Sequence, residues 1–185
     1  MRTKMKLAMF ALAMLLAVPP VLAQGSQPSG PPTEMAQLES FEGNWVCHGS
    51  TPEGPLGPAH KSTTSVKIHS ELDGMWLSGH VDEAASKENP HSYKGTMHMN
   101  YDTTSKNFVT IWVDNLGSWA KQTSTGWEAD KMVWLGDGTM AGKAVVARDT
   151  FTKKTGEFEH LGELQIDGNW VVVQNEVCKL QAAKK

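Results

Sequence analysis

Hydrophobic and polar residues alternate with a period of two along most of this chain, and short clusters of turn-forming residues interrupt the alternation. The clearest example lies between Gly95 and Trp119, where two alternating runs flank a turn-forming cluster at residues 102–106. Such a pattern predicts a meandering antiparallel sheet. The strands are expected at residues 44–49, 59–72, 75–83, 91–101, 106–114, 118–127, 131–135, 139–151, 157–166 and 170–180.

The predicted fold class is all-β. About ten antiparallel strands without a long helix favour an up-and-down barrel, since closure removes exposed sheet edges. Residues 136–138, Gly-Asp-Gly, are expected to form one of the tight turns. A short N-terminal helix is expected to begin at Thr33 and end at Ser40, because Met35, Leu38 and Phe41 follow helical spacing.

The N-terminal segment predicts export. Residues 1–23 contain a basic start, an apolar run and a small-residue cleavage site ending at Ala23, as in a secretory signal peptide. The apolar run is too short for a membrane span, so we expect no stable membrane insertion. Residues 24–32 are rich in Pro, Gly and Ser and are expected to form a disordered leader. Residues 33–182 would then be a single domain, periplasmic or secreted.

Charge and cysteine content limit the partners and the compartment. The full chain has a formal net charge of −3, and losing three basic residues with the signal peptide would make it −6. Without a basic block, no nucleic-acid partner is expected, and we expect a monomer. In an oxidising compartment Cys47 and Cys178 would form a disulfide. Two buried free thiols, or a metal site with further ligands, are the alternatives.

The register of the two strands around residues 102–106 decides which side chains face inward. A symmetric turn pairs Met97 and Met99 with aliphatic residues on one face. The other face then carries polar and aromatic side chains, pairing His98 with Thr110, Thr96 with Trp112, and Lys94 with Asp114, with Trp119 beside Trp112. Either the polar-aromatic face lines a ligand pocket, or the aliphatic face forms a core. Hydrophobicity favours the second arrangement, and the two Trp favour the first.

Chemical motifs are scarce. The chain has no P-loop, dinucleotide fingerprint, zinc-protease motif or nucleophile elbow, which favours a protein that is not an enzyme. Its seven His are scattered without ligand spacing, so no metal and no cofactor is expected. Arg148, the only Arg after the predicted cleavage, could bind an anionic ligand group. Pairing with an acidic neighbour is the preferred interpretation.

Several ordered motifs resemble a known family. They are Gly43-Asn44-Trp45, Leu72-Asp73-Gly74, Tyr101-Asp102 and the segment Trp112-Val113-Asp114-Asn115-Leu116-Gly117. In this order they resemble the uncharacterised bacterial family called domain of unknown function 1579, although Asn100 stands where that family often has Gly. The resemblance implies a lipocalin-like barrel, with the Trp of a calycin-type Gly-x-Trp closing its floor, and it implies no reaction.

Haem-binding barrels of the nitrobindin type use a His close to the C-terminal strand. Residues 170–180 contain no His, and His160 on the preceding strand is the nearest candidate. Scattered surface His is the preferred interpretation, so haem is not expected.

Three functions remain open from the sequence. The preferred one is a module that binds a small apolar or amphipathic ligand. Its candidate ligand residues are His98, Thr110, Trp112, Asp114, Trp119 and Arg148. The second is an enzyme of unknown class that uses His98 and Asp114 as an acid–base pair. The third is a structural envelope protein whose core is filled.

Overall fold

The computed structural model of the chain describes residues 30–54 and 57–182. The predicted signal peptide, and residues 24–29 of the predicted leader, lie outside the described residues. A 3-10 helix at Thr33–Phe41 precedes the strands, and a short 3-10 turn at Leu72–Gly74 lies between the second and third. The strands are β1 Gly43–Thr51, β2 His60–Glu71, β3 Trp76–Glu83, β4 Tyr93–Asp102, β5 Asn107–Asp114, β6 Trp119–Ser124, β7 Trp127–Glu128, β8 Lys131–Met140, β9 Lys143–Lys154, β10 Glu157–Ile166 and β11 Asn169–Leu180.

The strands form a closed antiparallel barrel. Each strand from β1 to β6 pairs with its neighbours in sequence, β8 to β11 do the same, and β1 pairs with β11. The ring closes where β6 pairs with β8, giving ten strands in the barrel. The two-residue strand β7 only extends the β8 edge. The predicted all-β barrel is confirmed.

Glycines make the closure between β6 and β8 possible. A Cβ atom on Gly136 would overlap the backbone of Lys121, and one on Gly138 would overlap the backbone of Trp119. The predicted turn at residues 136–138 is therefore wrong, since β8 continues through them and turns at residues 141–142. In this strand Gly allows a close approach of two backbones rather than a turn.

The 3-10 helix closes one end of the barrel. Its buried side chains are Met35, Leu38 and Phe41, and Pro32 rather than a side-chain cap precedes it. The Trp45 indole Nε1 donates a hydrogen bond of 2.9 Å to the Phe41 carbonyl. The Phe41 ring stacks on Phe158 at 5.0 Å. Within residues 30–54 and 57–182, no helix combines the length and the apolar character needed to cross a membrane.

The β4–β5 register differs from the symmetric one by one residue. Asp102 pairs with Asn107, and Lys106 closes the loop in a left-handed conformation with φ 55°. A shift of one residue reverses the face of every side chain on one strand relative to the other. Met97 therefore lies opposite Trp112, and Met99 opposite Thr110. The predicted division into an aliphatic and a polar-aromatic face is wrong.

A disulfide joins the first and last strands of the barrel. Cys47 on β1 lies opposite Cys178 on β11, and the two sulfurs are bonded as predicted. The bridge links positions 131 residues apart, and it indicates an oxidising compartment.

Removing the disulfide should destabilise the barrel strongly. In the chain-entropy account a loop of this length contributes about 4–5 kcal/mol, and measured losses are typically about 2–5 kcal/mol. We expect the double variant Cys47→Ala, Cys178→Ala to lose stability in this range in denaturant unfolding under non-reducing conditions. An unfolding midpoint equal to that of the unsubstituted protein would contradict this role.

Candidate functional site

The barrel encloses a cavity of about 200 Å³ that extends from the helix towards the opposite end. Aromatic rings supply much of its wall, and they are Phe41, Trp45, Tyr93, Trp112, Trp134, Phe151 and Phe158. Residues nearer the far end, such as Trp112, Met140 and Val173, are only partly buried, so the cavity opens there. Pockets for drug-sized ligands measure roughly 300–1,000 Å³. This cavity therefore suits a smaller molecule.

One polar cluster interrupts the apolar wall. The His160 imidazole lies between two carboxylates, with Nε2 at 2.9 Å from Asp149 Oδ1 and Nδ1 at 3.0 Å from Glu176 Oε1. The other oxygen of each carboxylate accepts a side-chain amide, from Gln122 to Asp149 at 2.6 Å and from Gln174 to Glu176 at 3.1 Å. We call these five residues the His160 cluster. Each carboxylate oxygen in it accepts a hydrogen bond.

Strand pairing assembles the cluster from four strands, with Gln122 on β6, Asp149 on β9, His160 on β10, and Gln174 and Glu176 on β11. His160 on β10 lies opposite Glu176 on β11 and opposite Phe151 on β9. The Phe151 ring stacks on the imidazole with centroids 4.6 Å apart. Asp149 lies opposite Gly162, which has no side chain to separate Asp149 from His160. The imidazole is thus held by two hydrogen bonds and one stacked ring.

His160 is an imidazolium ion in this arrangement. Burial alone would lower its pKa, but the hydrogen bonds to Asp149 and Glu176 outweigh burial and raise the pKa of His160 to about 10. In the imidazolium form both ring nitrogens donate hydrogen bonds. The cluster therefore combines one positive and two negative charges inside an apolar barrel.

A second buried histidine lies nearer the far end of the barrel. His60 Nε2 is 3.1 Å from the Glu83 carboxylate, and Nδ1 is 2.6 Å from the Pro58 carbonyl. The side chain of Asn89 approaches the same Nε2 at 3.4 Å. Because the His60 side chain is 1% exposed, this group anchors the loops to β2 and β3 rather than facing solvent.

Two of the six predicted ligand residues lie on the cavity wall, Thr110 and Trp112. The Trp112 ring lies flat over Gly95 on β4, where a Cβ atom would overlap it. The Tyr93 ring stacks beside it with centroids 6.3 Å apart. Trp112 therefore covers the β4 wall where the cavity opens.

Asp114 organises a turn. One of its oxygens accepts the backbone N–H groups of Leu116 and Ser118, and the other accepts the Tyr93 hydroxyl at 3.1 Å. Burial, with Asp114 adding to it, raises the pKa of Tyr93. The phenol therefore stays protonated and donates to Asp114.

His98 and Trp119 lie outside the cavity. His98 Nδ1 lies 2.9 Å from the Ser78 hydroxyl, and its strand position is opposite Ile111, three residues from Asp114. Three residues span roughly 10 Å along a strand, so the acid–base pair of His98 and Asp114 does not form, and that prediction is wrong. Trp119 is 47% exposed. It lies opposite Val113, so its predicted place beside Trp112 is also wrong.

Arg148 pairs with an acidic neighbour, the preferred of the two interpretations. Its Nε donates a hydrogen bond of 2.7 Å to Glu163. Its guanidinium lies 4.1 Å from the centroid of the Trp170 ring. The ion pair with Glu163 neutralises the charge that an anionic ligand would need.

The His160 cluster was missed by sequence reasoning, which considered His160 only for haem. A signal was present in the disulfide. Since Cys178 is buried against β1, residues at steps of two along its strand, Glu176 and Gln174, face inward as well. Glu176 also lies close to both sulfurs. These are bonded to each other, so this group offers no thiolate to a metal ion.

Comparisons with known proteins agree with the resemblance in the motifs. The sequence model of the family described as "Protein of unknown function (DUF1579)" matches residues 30–143. The chain belongs to this family. No curated protein matches it. The crystal structure of Rv2717c from M. tuberculosis is similar with a TM-score of 0.65 and 12% identity, over 82% of this chain and 99% of that chain. At this identity the likeness shows the fold alone.

The raised pKa of His160 can be measured directly. Because it lies above the ordinary value of 6.5, protonation adds stability that is fully present below pH 6.5 and is lost as the pH rises towards 10. We expect ¹⁵N NMR to show a protonated imidazole well above neutral pH. We also expect the free energy of unfolding to decline less over this range in His160→Gln. An imidazole that titrates near pH 6.5 in the folded protein would contradict this.

Proposed function

We propose that this protein is a non-enzymatic binding module for a small, largely apolar or amphipathic molecule. The observation that carries the proposal is the cavity itself, with aromatic walls and one polar cluster. Ligand sites are typically apolar clefts with a few placed polar groups. A structural protein of this fold would fill its interior with side chains, and the open space supports binding instead.

Trp112 is the side chain proposed to meet the ligand first. It lies where the cavity opens, on the inner face of β5. An aromatic ring there can stack on an apolar ligand and bury a large area. Gly95 keeps that ring against the wall and leaves the opening free.

We further propose that the protein acts in the periplasm or outside the cell as a monomer, without nucleic-acid partners. The disulfide between Cys47 and Cys178 supports an oxidising compartment. The predicted signal peptide at residues 1–23 is consistent with this location.

Two tryptophans provide a matched test of the binding site. We expect Trp112→Ala to weaken binding of benzyl alcohol, a small neutral aromatic probe, by about tenfold, because it removes wall area inside the cavity. Trp119→Ala removes the same side chain from the outer surface and should leave the affinity unchanged. Dissociation constants from ligand-detected NMR titrations test this expectation. Native mass spectrometry of the purified protein detects any small molecule that copurifies with it. If the two substitutions change the affinity for the probe equally, the proposed binding site beside Trp112 is refuted.

Gly95→Ala offers a test that removes no side chain from the cavity wall. The new methyl group must displace the Trp112 ring from the β4 wall towards the cavity. We expect weaker probe binding and a changed tryptophan fluorescence spectrum in a barrel that remains folded by circular dichroism. Thr96→Ala on the opposite face of β4 is the control, and the idea fails if both variants bind the probe like the unsubstituted protein.

A further inference from the structure

The charges on the cavity wall are unbalanced. Three carboxylates face it, those of Asp149, Glu163 and Glu176, and His160 is the only basic side chain among the described lining residues. Arg148 neutralises Glu163 through an ion pair. The two remaining carboxylates carry −2 and the imidazolium +1, so the His160 cluster keeps a net charge of −1.

The cluster also has more hydrogen-bond acceptors than donors available to a ligand. Both N–H groups of His160 are used by Asp149 and Glu176. The one cationic side chain among the described residues of the wall therefore has no donor left for a ligand. A carboxylate has about four lone-pair sites. Each oxygen of Asp149 and Glu176 accepts one hydrogen bond from a described side chain, and acceptor capacity remains.

Two buried hydroxyls, each able to donate and to accept a hydrogen bond, lie on the inner face of β2. The hydroxyls of Ser62 and Thr64 are buried, with the residues 2% and 1% exposed, and neither has a hydrogen-bond partner among the described residues. Their strand alternates so that they share a face with Val66 and Ile68, which line the cavity. Ser62 is paired with Gly49, whose other neighbour is Glu176. A Cβ atom on Gly49 would overlap the backbone of Asn175 and Glu176, so Gly49 allows β1 and β11 to approach each other closely beside this carboxylate.

We propose that the cavity binds a small organic cation, a molecule with one protonated amine and an apolar body. This inference rests on the proposed function and specifies its ligand class. The ammonium group donates hydrogen bonds to Asp149 and Glu176 and compensates their excess charge, while the body lies against the aromatic rings. Trp112 and Tyr93 where the cavity opens add faces that attract a cation.

Three probes that share one carbon skeleton separate charge from shape. Benzylammonium, benzyl alcohol and benzoate carry charges of +1, 0 and −1 at neutral pH. We expect the unsubstituted protein to bind benzylammonium about tenfold more tightly than benzyl alcohol, since hydrogen bonds with charged partners are roughly twice as strong as neutral ones. Benzoate should bind most weakly. Dissociation constants measured at low and high salt give the order of affinity of the three probes. The ratio of the affinities for benzylammonium and benzyl alcohol should fall as the salt concentration rises.

The outcomes distinguish the two proposals. If benzyl alcohol binds and benzoate binds at least as tightly as benzylammonium, the cation inference is overturned. The proposal of a binding module then still stands. Failure of all three probes to bind overturns the proposed function, and the cation inference with it.

Substitution of one carboxylate tests the site within the cavity. Asp149→Asn removes one negative charge at nearly constant shape, so benzylammonium should lose its advantage while benzyl alcohol binds as before. Asp137→Asn, on the exposed outer face of β8, is the matched control and should keep the preference. An unchanged preference in folded Asp149→Asn overturns the assignment. If that variant does not fold, the probe series on the unsubstituted protein decides.

Discussion

The cavity depends on the pairing of β6 with β8. Nine strand pairings in an open sheet would leave two edges and no interior, and this tenth pairing converts the sheet into a ring. It forms because Gly136 and Gly138 let two backbones approach where any side chain would collide. The resulting barrel is wider than its own side chains fill, and the short helix closes only one end. The cavity therefore exists because the strands close into a ring and because no helix among the described residues covers the second end.

Placing charges in this space has an energetic cost that the cluster largely offsets. Buried ions lose their hydration, and an apolar replacement of similar volume is often at least as stable. His160 and its two carboxylates reduce this cost by sharing hydrogen bonds, and Gln122 and Gln174 complete them. A packed hydrophobic layer would serve the barrel equally well. The cluster therefore gives the cavity polar chemistry that an apolar layer would lack, and protonation of His160 limits the energetic cost of burying it.

Much of the fold follows from the sequence, and the site follows only in part. Period-two alternation and turn clusters are local properties, and they were enough to predict the barrel and most strands. The disulfide followed from residue count and compartment. The identity of the inward-facing side chains could not be predicted from the sequence. A one-residue difference in the loop after Asp102 decides whether Trp112 shares a face with the methionines. The turn predicted at Gly136 and Gly138 was wrong for a related reason. Glycine is favoured both in tight turns and where two distant backbones approach closely, and the sequence alone does not distinguish the two.

The His160 cluster shows the same limit. Its members come from β6, β9, β10 and β11, and only the pairing registers bring them together. Each looks unremarkable in its own strand. Inward position could have been inferred for Glu176 from its spacing to Cys178, but the partnership with His160 requires the register between two strands.

The bond between the first and last strands has a consequence for biosynthesis. Cys178 lies near the end of β11, so the bridge and the β1–β11 ladder can form only after nearly all of the barrel sequence has left the ribosome. No shorter nascent segment contains a ring, and contacts of such high sequence separation are slow to form. The cavity therefore exists only after nearly the whole barrel sequence has been synthesised and closed.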